Sequence, residues 1–117
     1  NFIEKNHKTK VYSCKTIRDS NMIALSSRNN LLNKASLNTL GLITNELHNL
    51  KKKIYHDTRQ SKKLIQALKK DLVKKYKIRI EYMECRNIVN MSTNIHARSF
   101  KLFIAYYLSK VRLIDNF

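Results

Sequence analysis

The seven residues Ala24-Leu25-Ser26-Ser27-Arg28-Asn29-Asn30 concentrate groups suited to a polyphosphate. Serine hydroxyls and the backbone amides around them donate hydrogen bonds without adding charge. Arg28 adds a planar guanidinium whose fork can hold two phosphate oxygens at once. A helix is expected to follow, and its N-terminus would turn a positive dipole end and unpaired N–H groups to the same place. Ser-Ser-Arg-Asn alone is ordinary loop composition. Two further segments give it context: Thr16-Ile17-Arg18-Asp19 upstream, and Val111-Arg112-Leu113-Ile114-Asp115-Asn116 near the end.

Other chemistries find little footing. Gly41 is the single glycine and there is no proline, so no glycine-rich phosphate loop or dinucleotide fingerprint exists here. His7, His48, His56 and His96 lack metal-ligand spacing. Cys14 and Cys85 form no CxxC pattern and read as two reduced thiols, with a disulfide as the alternative. Asp19 and Asp115 are the acids nearest the motifs. The bland role for Asp115 is a structural pair with Arg112, Arg18 or a backbone amide, and Arg112 and Asn116 are expected to position the last strand. The net charge of +16 predicts attraction to anions. The lysines fall on helix exteriors, so a solvated surface with only non-specific nucleic-acid binding is the simpler reading. Phe100, Phe103, Tyr106 and Tyr107 invite comparison with base-stacking sheets. The residues before Phe103 lack the basic-glycine-aromatic opening of that signature, and a buried central strand is the expectation. No apolar run approaches the roughly 20 residues that span a bilayer, so no membrane association is expected. The first residues carry no signal-peptide pattern and no initiator Met, so the sequence reads as starting inside a longer protein.

Taken in order, T-I-R-D, A-L-S-S-R-N and R-L-I-D-N resemble the C-terminal part of the pantothenate synthetase (pantoate–β-alanine ligase) family. The resemblance covers nearly the whole chain. Lys15 stands where the family usually has Pro, Asn21-Met22 replaces Asp-Gly, and Ser109 sits near a hairpin position usually held by Gly. The resemblance implies a two-step ligase. ATP and pantoate give pantoyl adenylate and pyrophosphate with Mg²⁺, and β-alanine then attacks the adenylate to give pantothenate and AMP. It implies that Leu25, Ser26, Ser27 and Arg28 line the ATP phosphates, with Arg28 as a charge stabiliser, and that the backbone of Ile17 meets the adenine. It also implies a cytoplasmic enzyme, a homodimer when intact, and an N-terminal nucleotide-binding domain carrying most contacts to ATP, Mg²⁺ and substrates. On that basis residues 1–17 are a remnant of that domain and 18–117 a C-terminal lid domain, inactive alone. The reading from another class is a small basic nucleic-acid-binding α/β module.

The elements that must position these residues are legible from periodicity. Residues 10–17 alternate as a strand, which the resemblance makes an orphan of the preceding domain. Arg18 to Leu32 is the motif loop. Asn33 suits an N-cap, and Leu37, Leu40, Thr44, Leu47, Lys51 and Ile54, flanked by Ile43 and Leu50, follow helical spacing. A break covers about 56–60. Ser61 can cap a second helix ending near Tyr76, with Leu64, Ile65, Leu68, Leu72 and Val73 inward and an Asp71–Lys75 pair outside. Ile78, Ile80 and Tyr82 alternate with Arg79, Glu81 and Met83 as a half-buried strand to Cys85. Residues 86–97 read as a connection with a short apolar segment from Ile88 to Met91. Phe100 to Leu108 is an apolar strand that Ser109-Lys110 turns into Val111–Ile114. The expected fold is α+β: a small antiparallel sheet of about three strands with two main helices on one face.

Overall fold

The computed structural model describes residues 16–19, 23–24, 26–96 and 99–117. Most of the expected strand at 10–17, together with Lys15, Asn21, Met22 and Leu25, lies outside the described residues. Helix α1 runs Lys34–His56 and α2 runs Ser61–Tyr76. Strands β1 (Arg79–Asn87), β2 (Phe100–Leu108) and β3 (Val111–Asn116) form one antiparallel sheet in the order β1-β2-β3.

Asn33 caps α1 as expected. Its side-chain oxygen accepts from the Ser36 amide at 2.8 Å, satisfying one of the unpaired N–H groups of the first turn. The face that α1 buries is Leu40, Ile43, Thr44, Leu47, Leu50 and Ile54. Each fully buried aliphatic side chain of this kind contributes about 1.5–3 kcal/mol. Between the helices the expected cap moves. Ser61 is the first residue of α2 rather than its cap, and Asp57 caps a short 3-10 turn, Thr58–Gln60, by accepting from the Arg59 amide. Val73 is another correction. It is exposed, because Ile65 and Leu72 already fill the inward stripe of α2. Glu46 ties the helices together. It accepts from Lys75 Nζ at 2.9 Å and from the Tyr76 hydroxyl at 2.8 Å, while Asp71 holds Lys75 at 3.2 Å.

In the sheet, β2 points Phe100, Leu102, Ile104, Tyr106 and Leu108 into the core, all buried. Strand β1 departs from simple alternation. A bulge between Ile80 and Tyr82 adds one residue, Glu81, opposite β2. One extra residue reverses the period-2 phase. Ile78 therefore faces inward, whereas beyond the bulge Met83, Cys85 and Asn87 are buried and Tyr82 turns out. Phe103 also departs from the expected buried run. It pairs with Glu84 and Asn116 on the sheet face opposite Tyr106 and is only partly buried. Ile88, Val89 and Met91, expected as a short apolar segment, are exposed in the β1–β2 connection. The β2–β3 hairpin closes through Ser109 and Lys110, with φ of 50° and 66°. Two positive φ angles in a two-residue loop match the strand twist of a primed turn.

Candidate functional site

Ser26, Ser27 and Arg28 come together on one exposed turn. Ser26 is extended (φ −157°, ψ 144°), and its Oγ accepts from the Arg28 amide at 3.2 Å. That bond uses the oxygen and leaves the hydroxyl proton available to a ligand. Residues Ser27–Leu31 then make a 3-10 turn before α1 begins. Asn29 holds this turn: its side-chain nitrogen donates to the Ala24 carbonyl at 3.0 Å.

Arg28 projects along β3. Its Nη1 donates to the Arg112 carbonyl at 3.3 Å. This is a long bond to a neutral acceptor, and no carboxylate among the described residues forms a salt bridge with Arg28. A charged oxygen would be a stronger acceptor for a guanidinium than this carbonyl. Arg112 itself is engaged with Glu81 at 2.7 Å. That bond raises the guanidinium pKa and lowers the Glu81 carboxyl below its usual range.

Behind the turn lies a small cavity of about 110 Å³ between Ile23, Leu40, Tyr106 and Leu113, with Asp115 at its edge. Ligand pockets typically enclose about 300–1,000 Å³. The cavity behind the turn is therefore too small by itself to enclose a drug-sized ligand. Ile17 does not join the turn. It sits beside the Arg18–Ala24 bridge and is 71% exposed. Leu25 falls outside the described residues. The described residues contain no group of three or more His, Cys, Asp or Glu able to hold a metal ion, and Asp115 is committed to Arg18 at 2.9 Å.

Sequence reasoning left the partner of Asp115 open among Arg112, Arg18 and a backbone amide. It is Arg18, with an additional bond from the Asn116 amide. Asn29 and the Arg112 carbonyl were missed as supports of the turn. Only the Asn following Ser-Ser-Arg signalled either of them. Cys85 is buried and free, His48 stacks edge-on against Phe117 at 4.6 Å, and His56 and His96 are exposed. No helix among the described residues is long and apolar enough to cross a membrane.

Against this geometry the comparisons with known proteins are specific. A family model described as pantoate-beta-alanine ligase matches residues 2–117. A pantothenate synthetase of Clostridium novyi is 28% identical over 114 residues, covering 96% of this chain and 40% of that protein. One from Leptospira interrogans is 31% identical over 107 residues, covering 91% and 38%. Among solved structures, pantothenate synthetase from Thermus thermophilus superposes with a TM-score of 0.62 at 20% identity, covering 87% of this chain and 37% of that one. Pantoate-beta-alanine ligase from Francisella tularensis, complexed with an ATP ligand and β-alanine, gives 0.60 at 24% identity, covering 99% and 36%. The chain thus spans about two fifths of the length of the curated relatives it matches.

Proposed function

The chain belongs to the pantoate-beta-alanine ligase family, and from that membership we propose that residues 18–117 form the ATP-phosphate-binding lid of a pantothenate-forming ligase. Residues 1–17 then belong to a preceding nucleotide-binding domain. Ser26, Ser27 and Arg28, with Leu25, face the ATP phosphates, and Ile17 offers its backbone to the adenine. The observation that carries this reading is the exposed Ser26–Arg28 turn, whose guanidinium is tied, among the described residues, by the weak bond to the Arg112 carbonyl.

Pantoate attack on the α-phosphorus would form the acyl-adenylate and break the bond to pyrophosphate. Negative charge grows on the leaving pyrophosphate. Arg28 and the serine hydroxyls would meet that charge with donors already placed, in a site that closure makes poor in water. The amine of β-alanine would then displace AMP. Magnesium and the substrates would be held by residues outside this domain. The resemblance adds a cytoplasmic homodimer, and the chain alone is expected to make no AMP. The nucleic-acid reading has no comparable support.

The test is Arg28→Ala in the intact protein. Loss of a charge-assisted contact worth about 1.5–3 kcal/mol predicts a roughly ten- to hundredfold slower burst of pyrophosphate release, with pantoate affinity little changed. Arg28→Lys should recover only part of the rate, since an ammonium cannot reproduce the fork. An unchanged first-step rate would reject Arg28 as a phosphate ligand.

A further inference from the structure

The 3-10 turn that carries Ser26 to Arg28 buries none of its own residues. Ile23 and Leu32 pin the chain on either side of it, both buried. Apolar burial is non-directional and does not set the orientation of an exposed turn. Directional bonds must do so, and at the N-terminal end of the segment they lead to Arg18.

Arg18 donates from Nη1 and Nη2 to the two carboxylate oxygens of Asp115, each at 2.9 Å. Its Nη2 also donates to the Asn116 carbonyl at 2.6 Å, and its Cζ lies 4.7 Å from the Phe117 ring centroid. The two charged side chains are 14% and 12% exposed. This is the parallel two-bond fork that gives geometric specificity as well as strength. From Arg18 the ties run forward. Its backbone bridges Ala24, and the Asp19 carboxylate accepts from the Ile23 amide at 3.0 Å. The Ala24 carbonyl accepts from Asn29, and Arg28 reaches the Arg112 carbonyl. Both ends of the segment thus rest on β3: Arg18 on Asp115, Arg28 on Arg112. Ile17 immediately precedes the first anchor.

We infer that the Arg18–Asp115 pair is a positioning latch, registering Ile17 and the Ser26–Arg28 donors on the same strand so that both parts of the nucleotide-facing segment keep a fixed separation. The inference rests on the lid reading given above. Arg18 and Asp115 touch no nucleotide in this role. They act through the segment they hold.

The experiment uses the intact protein with Asp115→Asn, the milder Arg18→Lys, and the exchanged pair Arg18→Asp with Asp115→Arg. Two readouts are compared: hydrogen exchange of the Ile23 amide against the amides of β2, and the KM for ATP against that for pantoate. Either single change should speed exchange at Ile23 by about tenfold or more while β2 stays protected, the expected scale for losing one charge-assisted bond. The KM for ATP should rise by a similar factor with the pantoate KM unchanged, and the exchanged pair should recover part of both. Unchanged protection at Ile23 would overturn the latch. Lost protection with a wild-type KM for ATP would reduce it to a structural tie and overturn its positioning role. A wild-type protein that forms no adenylate would instead sink the lid reading, and the exchange comparison would still decide whether the pair holds the segment.

Discussion

The β2–β3 turn is a place where two terms of similar size can be separated. Ser109 and Lys110 both hold positive φ, 50° and 66°. For an L-residue with a Cβ this region costs about 1–2 kcal/mol. Glycine removes the clash but gives up roughly 0.5–1 kcal/mol in chain entropy on folding. Lys110 is exposed, so Lys110→Gly should gain about 0.5–1 kcal/mol net. Unfolding entropy near 2.1 cal/mol/K per residue over 117 residues is about 0.25 kcal/mol/K, so the melting temperature should rise by about 2–4 °C. Ser109 differs because its Oγ lies 2.7 Å from that of Ser36, which is buried. Ser109→Gly relieves the same strain but forfeits that bond, worth about 1 kcal/mol, and leaves a buried hydroxyl to find another partner. Its melting temperature should therefore stay near wild type or fall slightly. Thermal melts followed by circular dichroism, with refolding checked on cooling, decide the matter. No gain from Lys110→Gly would refute the strain argument. An equal gain from Ser109→Gly would show that the Ser36–Ser109 bond contributes nothing.

Two further outcomes are expected. Tyr106→Ala should cost about 3–5 kcal/mol in urea unfolding, because Tyr106 is 2% exposed in the core, whereas Phe103→Ala on the opposite face should cost well under that; equal losses would contradict the placement of Phe103. Burial pushes the Cys85 thiol up to about 11 from 9.0, against a downward pull from Lys51, so about a hundredfold less thiolate is present near pH 8 than for an ordinary thiol. Iodoacetamide labelling of Cys85 in the folded protein should accordingly be at least that much slower than in denaturant, and rapid native labelling would refute its burial. A raised folded-state value also means that any stability from this group is full below about pH 9 and lost as pH rises toward 11.

Local periodicity and chain chemistry settled much of this protein. The stripe from Leu40 to Ile54 specified α1, Asn33 its start, and the apolar run from Phe100 the central strand. The order of the three motifs pointed to the family that the comparisons show. These signals are legible because a helix face, a cap and a continuous buried strand are each written in residues close in sequence. Tertiary structure decided the rest. The bulge at Ile80–Tyr82 reversed the facing of β1, and no residue type there announces it, since it arises from register against β2. Val73 is exposed on α2, and Phe103 is only partly buried because strand alternation sets it on the face opposite Tyr106. The choice of Arg18 for Asp115 joins positions 97 residues apart. Several cations were available to that carboxylate in the sequence. Only the tertiary fold, which sets Arg18 against the end of β3, brought one guanidinium within bonding distance and held it in the forked geometry.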